Sequence, residues 1–233
     1  MHIVITGASR GIGLAVAEKF ASQGHSLFLT SKNDIALYKA VERLVLLYPG
    51  TPVKAMPYDL SKKEEAIACG HWVIQTAGNV DVLVNNAGLF EPGNVTDEPE
   101  GLLENQLAIN LYSAYNLTRT LLPGMIKHKS GHIFNMCSIA SLHAYPNGGA
   151  YSISKYALHG FSANLRHELK QYHIKVSSVF PGAVLTDSWG DYDNSDHRIM
   201  EAKDIADMIY AAAFLSPAAC VEDILIRPVL GDL

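Results

Sequence analysis

Short apolar runs alternate along the chain with stretches whose apolar residues recur every three or four positions. Residues 2–6 form the first run and end in a glycine-rich turn. Ile12, Ala15, Val16 and Phe20 then repeat at helical spacing until Gly24 stops them. A second run at 26–30 leads into a helical stretch over 34–47, and Pro49-Gly50 breaks the chain before a strand at 53–56. A polar helix over 62–76 precedes a strand at 82–85. Two long helices, 101–127 and 150–172, flank a strand at 132–136. A strand at 175–180, a helix over 204–215 and a strand at 224–226 follow. Most strand runs are continuous rather than alternating, as in parallel strands buried on both faces. Strand and helix in succession predict an α/β fold, a doubly wound parallel sheet of about seven strands with helices on both faces. No linker or internal repeat divides the chain, so one domain over 1–233 is expected.

The chain is 48% apolar and 18% charged over 233 residues, a globular balance at a length that buries roughly 70–75% of the unfolded surface without disulfides. A net charge of −5 and the absence of any basic block argue against a nucleic-acid partner. Cys69, Cys137 and Cys220 are far apart with no CxxC spacing, which fits a reducing compartment better than a disulfide framework or a zinc site. Arg10 interrupts the first apolar residues before a signal-peptide core forms, and no apolar stretch approaches the roughly 18 residues a membrane helix needs. A cytoplasmic location without membrane association is therefore expected. The acidic stretch of Asp191, Asp193 and Asp196 lacks the glycine and glutamate of a calcium loop, Ala202 standing at the glutamate position. The histidines show no HExxH spacing, and no metal is expected.

Thr6-Gly7-Ala8-Ser9-Arg10-Gly11-Ile12-Gly13 joins the first strand to the first helix. Glycines there let the backbone approach a ligand, while the helix start offers N–H groups to phosphate. The spacing is GxxxGxG, not the general GxGxxG. Together with Asn85-Asn86-Ala87-Gly88 after the fourth strand and Tyr151-Ser152-Ile153-Ser154-Lys155, this turn resembles the classical short-chain dehydrogenase/reductase family. Asp59-Leu60 and the segment from Pro181 to Thr186 match the same pattern, in the same order, over essentially the whole chain. The resemblance implies a Rossmann-type fold and an oxidoreductase bound to a nicotinamide cofactor. It implies cofactor contacts at Gly7, Ser9, Arg10, Gly11, Ile12 and Gly13 for the phosphates, and at Asp59 and Leu60 for the adenine. Asn86, Ala87 and Gly88 would lie beside the cofactor, and Pro181, Gly182, Val184 and Thr186 would meet the nicotinamide carboxamide.

Charge bears on which cofactor. In such folds an acid at the tip of the second strand accepts the ribose hydroxyls of NAD, whereas a cation there receives the 2′-phosphate of NADP. The tip here is Leu29-Thr30-Ser31-Lys32, with no acid. Lys32 and Arg10 can face a phosphate and Ser31 can donate to it. Asn33-Asp34 reads as a helix N-cap rather than a ribose ligand. NADP(H) is expected over NAD(H).

Tyr151 and Lys155 lie one helical turn apart on the same face, and Ser138 follows the fifth strand at the carboxyl edge of the sheet, where open α/β folds bind ligands. Hydride reduction of a ketone leaves an alkoxide that needs a proton. A free tyrosine, with a pKa of about 10, exchanges protons poorly near neutrality. An ammonium about 5 Å away at an effective dielectric of ~20 contributes about 3 kcal/mol, so Lys155 is expected to lower the phenol. Ser138 would hold the carbonyl oxygen near Tyr151, and Tyr151 and Lys155 would also contact the cofactor. In the resembling family an asparagine matching Asn110 orders a water beside the lysine and completes a proton relay; a polar contact between helices is the plainer role for it.

His143, Tyr145, Asn147 and Gly149, together with Trp189 in a polar stretch (187–200) that reads as a mobile lid, are expected to line the substrate pocket. The Trp-Gly of the 181–190 segment, Ile224 to Pro228 and Gly231-Asp232 are similar to bacterial sepiapterin-reductase-like members, which implies a sepiapterin-like substrate. A 3-oxoacyl-thioester reductase is the competing enzyme reading, and a catalytically silent NADP-sensing protein the competing non-enzyme one. Helices 101–127 and 150–172 carry enough apolar residues for a second packed face, and family members pair them across a two-fold axis. A homodimer or homotetramer is expected, and a monomer by light scattering would contradict it.

Overall fold

Residue parity sorts the core. Ile3, Ile5, Leu27, Leu29, Val82, Val84, Phe134 and Val179 join one buried apolar layer, and Val4, Phe28, Leu83, Ile133 and Val176 join another on the opposite face of the sheet. Alternate residues of a strand point to opposite faces, so a continuous apolar run feeds both layers at once. The computed structural model describes residues 1–232; Leu233, the last residue of the expected domain, lies outside the described residues.

The strands are β1 (His2–Thr6), β2 (Ser26–Thr30), β3 (Val53–Ala55), β4 (Val82–Asn85), β5 (Gly131–Met136), β6 (Ile174–Pro181), β7 (Val184–Leu185), β8 (Met200–Glu201) and β9 (Asp223–Ile226). A seven-stranded sheet runs in the order β3-β2-β1-β4-β5-β6-β9, with every pairing parallel. The order reverses between β1 and β4, which opens a crevice at the carboxyl edge of the sheet. Helices α1 (Gly11–Ala21), α2 (Asp34–Leu47) and α7 (Ala202–Ala213) cover one face through Val16, Phe20, Leu37, Leu44, Ile205 and Ile209. Helices α3 (Lys63–Ala77), α5 (Ser113–His128) and α6 (Gly149–Leu169) cover the other through Val73, Leu117, Leu121, Leu165 and Leu169.

The expected 101–127 helix is not continuous. Helix α4 (Leu102–Leu107) passes through a π-helical turn, Ala108–Tyr112, before α5 begins. In that wide turn the Ser113 N–H donates to Ala108 O, and the buried Asn110 sits within it. Such turns recur where a helix aims a side chain at a functional site. The expected 150–172 helix ends in a 3₁₀ turn, Lys170–Tyr172. The polar stretch after β6 is also more ordered than a simple cover: β7 and β8 pair in parallel across it, and Asp187–Trp189 forms a 3₁₀ turn.

A polar ladder crosses the apolar interior near the crevice. Asn85 of β4 donates to Asn135 Oδ1 of β5 at 2.8 Å and to Thr118 Oγ1 of α5 at 3.0 Å, and Asn135 donates to Ser162 Oγ of α6 at 2.8 Å. These buried bonds fix α5 and α6 against the sheet, because any displacement would leave an amide unpaired. No helix among the described residues is long and apolar enough to cross a membrane.

Candidate active site

The glycine turn is held from below. Gly7 and Gly11 have φ of +62° and +55°, conformations that favour glycine. A Cβ at position 13 would lie 2.4 Å from Gly7 O and 2.5 Å from Asn86 Nδ2, so a side chain there would force the turn apart. Asn86 Nδ2 donates to Thr6 O at 2.9 Å and to Gly7 O at 3.2 Å, while Thr6 Oγ1 accepts from the Asn86 and Ala87 N–H groups at 2.9 and 2.8 Å. Asn86 is thus a strut beneath the turn. Thr6, which the sequence reading did not single out, ties both loops together. Arg10, the N-cap of α1, supplies no side-chain acceptor, and the first turn contains no acid. Its leading N–H groups therefore face the crevice edge as an anion-binding end.

Beyond the turn lies a polar rim. The Ser9 and Ser31 hydroxyls are 3.0 Å apart. Lys32 Nζ is 2.9 Å from Asp59 Oδ2, with side-chain exposures of 76% and 12%. Burial raises the Asp59 carboxyl, but hydrogen bonds from Ser61 and Lys32 outweigh it and hold the group below the ordinary carboxylate range. Arg10 Nη1 lies 3.7 Å from Asp187 Oδ2. Asn33 accepts the Ala36 N–H at 2.8 Å, so the 33–34 pair caps α2 as expected. A Cβ at Gly11 would be 3.3 Å from Thr186 Cγ2, which places Thr186 at the mouth of the turn. Other residues of the expected cofactor set turn away. Leu60 and Val184 are buried in the two apolar layers, Ile12 packs against one of them, and Pro181 is buried in β6. Their side chains complete the core, which leaves only their backbones to border the crevice. Gly182 faces Asp232, whose Oδ1 accepts the Ala183 N–H at 2.9 Å.

Four polar residues converge beyond the ends of β4 and β5. Ser138 caps a 3₁₀ turn, its Oγ accepting the Ala140 N–H at 3.1 Å, and its side chain lies near enough to the Tyr151 phenol to pull its pKa down. Tyr151 stands in the first turn of α6. One turn later Lys155, 5% exposed, donates from Nζ to Met136 O at 2.7 Å and lies 5.7 Å from the Tyr151 ring centroid. Asn110 reaches in from the π turn. Its Oδ1 accepts the Leu89 N–H at 2.8 Å, and its Nδ2 donates to Leu89 O at 3.0 Å, Gln106 Oε1 at 3.1 Å and Ser154 Oγ at 2.9 Å. Asn110 is therefore a contact between helices and also a pin on the loop after β4. A Cβ on Gly88 would stand 3.1 Å from Asn110 Oδ1 and 3.4 Å from Lys155 Nζ.

The electrostatics correct one expectation. Burial pushes the Tyr151 phenol above its ordinary value, and the Ser138 hydrogen bond only partly offsets this. Burial also brings Lys155 down to about 8. Removing a phenolate from water outweighs what Ser138 returns, so the protein's own groups keep Tyr151 protonated at neutral pH. An acid loaded in this way can protonate an oxyanion placed against it.

Of the expected substrate residues, His143 and Tyr145 are exposed on the loop before α6. Tyr145 lies close enough to Tyr151 for their charges to interact; burial first, and then Tyr151, push its phenol up to about 12. Trp189 packs its ring 5.3 Å from that of Tyr192. Asn147 and Gly149 turn instead toward Asn94 and Glu98, because the loop at 93–98 docks there. A residue absent from the sequence reading stands in their place: the Phe90 ring meets Tyr151 edge-on at 4.9 Å. Phe90 follows the NNAG segment directly, which is the signal that could have found it.

A doubly wound parallel sheet with a glycine turn at its switch point is the arrangement of dinucleotide-binding α/β proteins. Residues 1–196 match the short chain dehydrogenase family, and the chain belongs to it. An uncharacterized oxidoreductase of Staphylococcus saprophyticus is 31% identical over 226 residues, 97% of this chain and 96% of that protein. A metagenomic short-chain oxidoreductase, solved in complex with NADP, is 32% identical with a TM-score of 0.86, covering 98% of this chain and 97% of its own. An alcohol dehydrogenase from the archaeon Thermococcus sibiricus, complexed with 5-hydroxy-NADP, is 26% identical with a TM-score of 0.90, covering 98% and 96%.

Proposed function

We propose that the chain reduces a ketone to an alcohol with NADPH, Tyr151 being the proton donor. The observation that carries this reading is the meeting of buried Ser138 and Lys155 with half-buried Tyr151 beside the glycine turn. The rim suits a phosphorylated dinucleotide: two hydroxyls, two cations and a helix N-terminus form a donor set for phosphate, and the solved structures named above carry NADP and 5-hydroxy-NADP. When bound, the cofactor supplies a hydride to the carbonyl carbon. The chain's part lies at the oxygen. Ser138 donates a hydrogen bond that holds the oxygen, and Tyr151 delivers its proton there as negative charge develops. The phenolate left behind is stabilised by the Lys155 ammonium, worth about 3 kcal/mol at a separation of 5–6 Å and an effective dielectric of ~20. With a pKa of about 8, Lys155 is charged at pH 7 and can return a proton to Tyr151. Asn110 fixes Leu89 and Ser154, the neighbours of Phe90 and Lys155, and so keeps the proton path in register.

Phe90, Tyr145 and Trp189 favour a flat carbonyl substrate, and a sepiapterin-like compound is the first to try. The exposed Tyr112 and Tyr115 of the 101–127 region, with Ile153 and Tyr156 of α6, support pairing of subunits through those helices. A carbonyl panel that includes a 3-oxoacyl thioester, run with NADPH and with NADH and followed by loss of nicotinamide absorbance, tests cofactor and substrate class together. Tyr151→Phe should lose at least about a thousandfold in kcat, the scale of a missing proton donor, while NADPH affinity stays within twofold. Near-normal turnover by that variant refutes the assignment.

A further inference from the structure

The segment after β4 is fastened to the start of α6, the helix that carries Tyr151. Gly93 forms a bridge with Gly148 and donates to Asn147 O at 3.1 Å. The Asn147 N–H donates to Asn94 Oδ1 at 2.9 Å, and Asn94 Nδ2 donates to Asn147 Oδ1 at 3.2 Å. The Glu98 carboxylate accepts the Ala150 N–H at 3.0 Å. A Cβ at Gly149 would sit 2.5 Å from Glu98 Oε2 and 2.7 Å from Gly93 O, so the approach depends on a residue without a side chain.

Helix α6 does not cap itself. Its N-cap is Gly148, no side chain of its own accepts the leading N–H groups, and its first turn holds no acid. A helix start exposes unpaired N–H groups and a positive partial charge, both of which a carboxylate satisfies. Glu98 supplies that carboxylate from 52 residues away, at the residue immediately before Tyr151. The same segment brings the Phe90 ring edge-on to the Tyr151 ring with centroids 4.9 Å apart, so it touches both the turn and the phenol ring. We propose that Glu98 is a positioning residue: its carboxylate sets the first turn of α6 and thereby the aim of the Tyr151 hydroxyl. This rests on the proton-donor reading of Tyr151.

The test compares Glu98→Ala with Glu98→Gln, whose amide oxygen still accepts the Ala150 N–H. Glu98→Ala should lose about ten- to a hundredfold in kcat on the best carbonyl, the scale of a small misplacement of a reacting group. Its NADPH affinity should stay within twofold, and Glu98→Gln should recover most of the loss. Amide exchange in the peptide spanning 147–152 should quicken in Glu98→Ala and not in Glu98→Gln. If Glu98→Ala does not fold, Glu98→Asp, one methylene short of Ala150, takes its place. A lower melting temperature with unchanged kcat at 25 °C overturns the proposal, because it describes a cap and nothing more. So does a Glu98→Gln variant as impaired as Glu98→Ala. If the wild type binds NADPH but reduces no carbonyl, the proton-donor reading fails instead. The exchange measurement then decides for Glu98 alone: unchanged exchange in Glu98→Ala overturns it, and faster exchange restored by Gln supports it.

Discussion

Lys155 and Lys32 both reach the carboxyl edge of the same sheet and differ in almost every other respect. Lys155 is buried, donates to a main-chain carbonyl at the end of β5, and titrates at about 8 because burial disfavours its charge. Lys32 is 76% exposed and ends on Asp59, which Ser61 also holds. The charge on the first is set by the fold around it, and solvent ions barely screen it. The influence of the second depends on a neighbouring carboxylate, on salt and on whatever anion competes for it. On the proposed reading, the groups for the chemical step are enclosed, while those that would select a cofactor stand at the rim, where a single substitution changes them without disturbing the core.

Experiments at three positions press on that contrast. The largest effect falls on the enclosed side. Lys155→Met should lower kcat by about 10²–10³. In the wild type the rate of carbonyl reduction should hold below the Lys155 pKa of about 8 and fall above it, since the ammonium is the active form. A pH profile flat from 6 to 10, measured with saturating NADPH, would separate Lys155 from catalysis. Next comes the strut under the glycine turn. Asn86→Ala leaves the Thr6 and Gly7 carbonyls without their donor and should cost about 2–3 kcal/mol, read from the urea midpoint. A loss under 0.5 kcal/mol would mean that the turn holds its shape without it. The smallest effect belongs to the rim. Lys32→Glu should raise the KM for NADPH about tenfold and leave NADH nearly unchanged, with the difference shrinking as salt is added. Equal effects on both cofactors would remove Lys32 from the choice between them.

Much of this architecture was legible along the chain. Continuous apolar runs announced a parallel sheet buried on both faces, and Ile3, Val4 and Ile5 divide between two core layers as such a run requires. Ser138, Tyr151, Lys155 and Asn110 were expected at one site and stand together. What escaped the reading leaves no mark on the local pattern. The wide turn at Ala108–Tyr112 keeps the same apolar spacing as an ordinary helix, so nothing in the period announces it. The pairing of Lys32 with Asp59 and the docking of Glu98 on Ala150 join residues distant in sequence, and neither partner is unusual where it stands. The direction of the Tyr151 shift was missed because a nearby cation is visible in the sequence, whereas the loss of hydration is not. Leu60 and Val184 fit the family pattern by position, yet their apolar side chains went where apolar side chains go.

Asn110 carries a consequence for the shape of the substrate. Both polar groups of Leu89 are tied to its amide by hydrogen bonds worth about 1 kcal/mol each, so the backbone that leads into Phe90 resists displacement. The segment over residues 189–197 is by contrast largely solvent-facing. On the proposed ketone reduction, a substituent lying against Phe90 meets a pinned backbone, and that stiffness favours presenting one of the ketone's two faces to the reductant.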